Sequence, residues 1–276
     1  MIELPEAILL ARQMSEEVYG KQIASCMRGN SPHKFAFYTH TPEEYAQLLP
    51  GKTIGPATGH GNHILVPAEP GYVLVLGGGG ERILLHRCAE TLPAKHQFLL
   101  EFTDGAALTV TIQMWGSLRL MQEGEPITNK CIGPCRVSPL SADFSADYFD
   151  GLFGELDKED SRSVKYFLIS QPGVWGLGNG YLQDILFRAR IHPRRRAMAL
   201  TRHERRALHK AVQETLQQAV AQGGRDTEYD LHNLPGGYHR ILDAGAVGQP
   251  CRRCSTPIQK ASFLGGMVYF CPQCQI

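Results

Sequence analysis

The 276-residue sequence contains no unbroken apolar stretch approaching the roughly 20 residues needed to cross a bilayer. Its longest apolar runs, such as Tyr72 to Leu76, are the length of a strand. The opening Met1-Ile2-Glu3-Leu4-Pro5-Glu6 lacks the basic region and apolar core of a secretory leader, so a cytoplasmic location under reducing conditions is expected. An excess of charge of either sign is lacking: 28 Lys and Arg stand against 27 Asp and Glu for a formal net charge of +1, so any polyanionic partner must be argued from local clusters. No internal repeat or low-complexity tract is visible. The run Gly77 to Gly80 is followed by no Lys-Ser/Thr pair, which excludes a P-loop and leaves a hairpin turn as the expectation.

The sequence does have the material for packed cores. Hydrophobic residues make up 43% and charged residues 20%, a globular composition, and the length suits one large domain or two ordinary ones. Eight cysteines in a reducing compartment read better as metal ligands than as disulfides where they are closely paired. Cys26 and Cys88 stand alone and read as buried or inert, and Cys131 and Cys135 read as incidental loop thiols.

A helix is predicted from Leu4 to Gly20: Pro5 suits its first turn, and Ala7, Leu10, Ala11, Met14 and Val18 share a face. From Lys21 to about Met121, short apolar or alternating runs separated by turns predict an antiparallel β-sandwich. The runs are Tyr72 to Leu76, Arg82 to Leu85, His96 to Phe102 and Leu108 to Met114, with Asp104-Gly105 as a hairpin signal. A turn-rich connector over 126–140 separates this part, 1–125, from a helical part over 141–248 and a terminal segment over 249–276. Helices are predicted at Asp143 to Leu156, Val164 to Ser170, Asn179 to Ala189 and Thr201 to Ala221. The last opens with a Thr201-x-x-Glu204 capping box and stops at Gly223-Gly224.

The strongest chemical signal is Cys251-x2-Cys254-x16-Cys271-x2-Cys274. Each C-x2-C turn can place two thiolates on one metal, and two such turns complete a tetrahedral sulfur site for one structural zinc, with no position left for substrate. The insert reads as two strands, Ser255 to Phe263 and Met267 to Phe270, reversed at Gly265-Gly266. Upstream, Arg194, Arg195, Arg196, Arg202, Arg205, Arg206 and Lys210 face a single acid, Glu204, and Arg188, Arg190, Arg252 and Arg253 add to them. Such a cluster suits phosphate contacts, although a solvated helix face would show the same composition. Gly176-Leu177-Gly178-Asn179-Gly180 stands where a helix begins, a place where backbone N–H groups favour an anion.

Taken together, these segments resemble the formamidopyrimidine-DNA glycosylase and endonuclease VIII family nearly from end to end. Glu3-Leu4-Pro5-Glu6 is similar to the family's opening, and Ser138-Pro139-Leu140-Ser141 through Asp147-Tyr148-Phe149 to the start of its helical domain. Val164 to Gln171, Gly176 to Asn179 and Asp184 to Pro193 resemble its helix–two-turn–helix motif, and Tyr269 to Gln275 its zinc finger. The resemblance implies an α+β chain of two domains: an N-terminal helix plus antiparallel β-sandwich, then a helix–two-turn–helix domain ending in a zinc β-hairpin. It implies a monomer whose partner is double-stranded DNA carrying a damaged base or an abasic site, met at the nucleoid, with no membrane partner. It also implies base-excision repair: an N-terminal amine attacks the sugar C1′, and the resulting Schiff base permits strand cleavage, with the adjacent glutamate handling protons.

On that basis Met1, Ile2, Glu3 and Glu6 are the candidate catalytic residues, and Asn62, Asn179, Arg188, Arg194 and Arg252 the candidate DNA contacts. Glu6 also fits the ordinary role of a helix N-terminal charge. The chain departs from the family at Ile2, where a proline is usual, and at Asn62 and Gly266, which align with a lysine and an arginine. An intercalating arginine is replaced near Gln113-Met114-Trp115. Ile2 is bulky, so Met1 is expected to stay. Two readings follow, a glycosylase with lyase activity and a member that binds abasic or damaged DNA without cutting it. A zinc-hairpin interaction protein without a DNA role is the third, and the basic cluster argues against it.

Overall fold

A computed structural model describes residues 1–125, 136–157 and 159–276. The chain forms two compact units, Met1–Cys135 with Gln222–Gly237, and Arg136–Ala221 with Tyr238–Ile276. The return of Gln222–Gly237 to the first unit cuts into the segment that chain order assigns wholly to the helical part. Cys131 and Cys135 lie outside the described residues.

In the first unit, the helix Leu4–Glu17 buries Leu4, Ala7, Leu10, Ala11 and Met14, the face expected from the sequence. The sheets behind it have strands in the order Ile23–Met27, Phe98–Phe102, Ala107–Ile112, Glu81–His86 in one, all antiparallel. The other runs Ala36–Tyr38, Gly116–Gln122, Tyr72–Gly77, His63–Glu69, Thr53–Ile54, with Thr58–His60 also on His63–Glu69. One apolar core, including Ile2, Leu10, Met14, Ile64, Leu74, Phe98 and Leu118, is common to both. Two expectations are corrected. Ala36–Tyr38 pairs parallel with Gly116–Gln122, which the long intervening chain permits and a tight turn would not. Gly77 to Gly80 is no hairpin turn, because the strands on its two sides belong to different sheets.

That crossover is tight enough to require glycine. Gly77 and Gly78 both have φ +88°, and a Cβ on Gly78 would lie 2.3 Å from His63 Nε2. A short helix, Pro42–Leu48, was not anticipated, though its Thr41/Glu44 capping box is in the sequence.

The second unit contains helices Ala146–Leu152, Val164–Ile169, Asn179–Ala189 and Arg202–Ala221. Thr201 and Glu204 cap the last reciprocally, Glu204 N–H to Thr201 Oγ1 at 3.3 Å and Thr201 N–H to Glu204 Oε2 at 2.8 Å. Phe153 stacks on Phe167 at 4.0 Å between ring centres, beside buried Phe149. Asp184, fully buried on Asn179–Ala189, accepts from Tyr238 Oη, Ile241 N and Leu242 N at 2.8 to 2.9 Å, tying the final segment to that helix. Burial raises its carboxyl above the usual range.

The terminal hairpin pairs Gln259–Phe263 with Gly266–Phe270. Phe263 faces Gly266, so the turn is Leu264-Gly265, with φ +49° and +72°, one residue earlier than expected. Two successive positive φ angles match the two-residue turn that suits a twisted hairpin.

Candidate functional site

In the first unit the N-terminus lies among carboxylates. Ile2 is 2% exposed in the core, and its N–H donates to Gly79 O at 2.9 Å. Gly79 is itself held by Glu81, which accepts from Gly79 N–H and Ser117 N–H, both at 2.8 Å. Burial raises the Glu81 carboxyl, against those two N–H groups. Asn62 joins the same turn: its carbonyl accepts from Gly78 N–H at 2.8 Å, and its Nδ2 lies 3.5 Å from Gly78 O.

Met1 is 39% exposed, and its ammonium donates to Glu228 Oε1 at 2.5 Å. Beneath it, Arg225 is 4% exposed and holds three acceptors of the N-terminal segment. Nη1 donates to Glu3 Oε1 at 3.1 Å, Nε to Glu6 Oε1 at 3.2 Å and Nη2 to the Met1 carbonyl at 2.5 Å. Glu6 also accepts from Glu3 N–H at 3.0 Å and from Arg225 N–H at 3.1 Å. Its part is thus larger than the expected helix-end charge. The amine opens onto a small recess lined in part by Arg82, Gln113, Glu228 and Tyr229, where the Arg82 guanidinium stacks 3.7 Å above the Tyr229 ring. The arrangement can hold one amine against one carboxylate and keep two further carboxylates fixed behind it.

Of the candidate catalytic residues, Met1, Glu3 and Glu6 are brought together, and Ile2 is turned into the core. Sequence reasoning missed Arg225, Glu228 and Glu81. None sits in a short-range pattern with residues 1–6, and only the Gly223-Gly224 stop marked where the loop begins.

In the second unit the four thiols converge. Cys251, Cys254, Cys271 and Cys274 Sγ atoms all lie within 4.8 Å of one another, with Cys251–Cys274 at 3.9 Å and Cys254–Cys271 at 3.4 Å. A tetrahedron with metal–sulfur bonds of about 2.3 Å has sulfur atoms about 3.8 Å apart, so these residues fit zinc. Arg253 N–H on Cys251 Sγ and Cys274 N–H on Cys271 Sγ, each 3.4 Å, supply the backbone donors of two knuckles. The hydrogen bond with Thr256 draws the Cys254 thiol down to about 6. The other two thiols among the described residues differ from this set and from each other: Cys26 is buried, as expected, and pushed up to about 12, whereas Cys88 is exposed.

Asn179 stands at the first position of its helix, and its Nδ2 donates to Met267 O on the hairpin at 3.1 Å. Lys165 Nζ donates to Phe263 O at 2.6 Å, and both side-chain nitrogens lie 3.6 Å from where a Cβ on Gly266 would stand. Arg194 is exposed, its guanidinium 5.0 Å from the Phe263 ring centre and bonded to Ser262 O. Arg188 lies at the other end of the same helix as Asn179, about 14 Å away at 1.5 Å per residue, and donates to Gln218. Arg252 is exposed and lines a separate cavity with Arg240 and Asp243.

The basic cluster is only partly available. Arg195 pairs with Glu204, Arg205 with Asp150, and Arg196 donates to Asp160 O. Arg202, Arg206 and Lys210 are exposed, as their spacing suggested.

Comparison with known proteins adds three family matches in chain order. Residues 1–137 match the formamidopyrimidine-DNA glycosylase N-terminal domain, 136–230 its H2TH domain, and 248–276 a zinc finger found in FPG and IleRS. The chain is 32% identical over 280 residues to a formamidopyrimidine-DNA glycosylase of Bacillus licheniformis, covering all of this chain and 99% of that one. It is 34% identical over 281 residues to one of Halalkalibacterium halodurans, covering both fully. Among solved structures it is similar to wild-type Lactococcus lactis Fpg in complex with DNA containing N7-benzyl-Fapy-dG, with a TM-score of 0.84, 25% identity and 99% coverage of each chain. The four cysteines form a structural zinc site.

Proposed function

Because the chain belongs to the formamidopyrimidine-DNA glycosylase family, we propose that it is a base-excision DNA glycosylase with apurinic/apyrimidinic-site lyase activity. Its substrate is double-stranded DNA carrying a damaged base or an abasic site, which places its work at the nucleoid in the cytoplasm. It acts as a monomer.

The observation that carries this reading is the amine itself. Met1 presents a partly exposed ammonium in a recess, with the Glu3 carboxylate fixed one layer behind it by Arg225. The amine attacks C1′ and the Schiff base that follows makes the strand labile to β-elimination. With zinc bound by the four cysteines, the hairpin would be held so that Asn179 and Arg194 are fixed for phosphate contacts, with Arg188 and Arg252 outside that group and Lys165 buried beneath the hairpin. Exposed Met114, at 72%, and Trp115, at 41%, offer an apolar wedge for the space a flipped base leaves.

A second reading, binding of abasic DNA without cleavage, is favoured by one observation: the Glu3 carboxylate is already paired with Arg225. Incubation with a duplex containing one abasic site separates the two. The lyase nicks the damaged strand under single-turnover conditions, whereas retention of the duplex with an intact strand leaves the binder.

A further inference from the structure

We propose that Glu228 is the proton acceptor that frees the Met1 α-amine for attack, and that Arg225 positions that amine, so that a retained initiator methionine is this chain's nucleophile. The inference deepens the amine-lyase reading and rests on it.

Both backbone polar atoms of Met1 are taken by one loop. Glu228 Oε1 meets the nitrogen at 2.5 Å, and Arg225 Nη2 meets the carbonyl at 2.5 Å. Neither contact survives removal of Met1. Ile2 offers no equivalent, because its side chain is in the core and its nitrogen faces the Gly79 carbonyl, which cannot take up a proton as a carboxylate can.

The other nearby carboxylates are otherwise engaged. Glu3 and Glu6 turn their oxygens to Arg225, and Glu81 spends its two on Gly79 N–H and Ser117 N–H. Glu228 also lies 3.6 Å from Arg225 Nη2, but its Oε1 meets the amine at 2.5 Å and its side chain keeps 21% exposure, which gives the accepted proton a path to water.

The step balances with solvent as the only other proton source. Glu228 takes one proton from the ammonium, and the freed lone pair bonds to C1′ as the C1′–base bond breaks. The base leaves with that electron pair and takes up a proton; at an abasic site the C1′ hydroxyl leaves in its place and takes up the proton to become water. The new secondary ammonium loses a second proton. Its lone pair then forms the iminium as the C1′–O4′ bond opens, and O4′ takes up a proton.

The test uses the full-length, zinc-loaded protein with an abasic-site duplex and borohydride, reading trapped adduct against time and its mass. Glu228→Gln keeps an acceptor oxygen for the amine but removes its basicity. Trapping is expected to slow by about 100-fold or more, within the range of proton-transfer catalysis, with duplex binding unchanged. Glu228→Ala is expected to regain part of its rate with added formate, which a purely structural role for Glu228 would not produce. Arg225→Lys, keeping a cation, is expected to fall between native and Glu228→Gln in rate. Native-rate trapping by Glu228→Gln, with the adduct on Met1, overturns the inference and leaves the lyase reading standing. Absence of any adduct from native protein that still binds the duplex overturns both.

Discussion

Arg225 holds Glu3 from 222 positions away in the chain, Nη1 to Oε1 at 3.1 Å, with both side chains buried. The same guanidinium reaches Glu6 and the Met1 carbonyl, so one cation fixes the N-terminal segment to the loop 222–237. Buried pairs of this kind gain little over apolar packing, but removing one partner leaves the other charge without compensation.

Arg225→Met should therefore destabilise the protein by about 3 to 5 kcal/mol, the cost typical of a broken buried pair. Urea unfolding followed by circular dichroism measures it. Arg225→Met combined with Glu3→Gln should recover part of the loss, since one of the two stranded carboxylates is then neutral.

Acid should weaken the first unit through His63. Burial, with Arg119 as a smaller cause, lowers its imidazole to about 4, against about 6.5 in an unfolded chain. A lowered histidine is neutral in the fold, so its contribution is complete above pH ~6.5 and is lost as pH falls from there towards ~4. Over that window His63 alone accounts for about 3 kcal/mol of lost stability. Unfolding free energies at pH 7 and pH 4 check this, and His63→Leu should flatten the difference.

Zinc removal should uncouple the hairpin from DNA binding. Elemental analysis should find one zinc per chain, and Cys254→Ser or a strong chelator should remove it. Abasic-duplex affinity should then fall at least tenfold, because a four-thiolate site contributes its binding energy directly to folding of the ribbon. Cys88→Ser, at an exposed thiol outside the cluster, should leave both zinc content and affinity at native values.

Two arginines equally prominent in the sequence should behave differently. Arg194→Ala should weaken DNA binding and reduce the slope of log K against log salt by about 0.9, the value for one phosphate contact. Arg188→Ala should leave that slope unchanged, since Arg188 lies at the far end of its helix from Asn179 and bonds Gln218. Fluorescence anisotropy at several salt concentrations distinguishes them.

What could be read in advance was local. The four cysteines, the Thr201/Glu204 cap and the helix from Asn179 each depend on residues a few positions apart, and each formed as expected. The hairpin turn fell at Leu264-Gly265 because strand register, not glycine content alone, selects which two residues turn. Gly77 to Gly80 has turn composition, but only the sheet order shows that it passes between sheets and presents Gly79 O to Ile2. The basic run overstated the free charge, because Arg195, Arg196 and Arg205 find internal acceptors that no spacing rule announces. The catalytic candidates Met1, Glu3 and Glu6 were legible through resemblance, whereas Arg225 and Glu228 were not, since closure over that length of chain leaves no periodic trace.

The most direct measurement of the central claim is fragmentation mass spectrometry of the borohydride-trapped complex with abasic DNA. The reduced sugar is expected on the α-nitrogen of Met1, in a peptide that begins Met1-Ile2-Glu3. An adduct on Ile2 of a chain that has lost Met1, on a lysine side chain, or nowhere while the strand stays intact would contradict it.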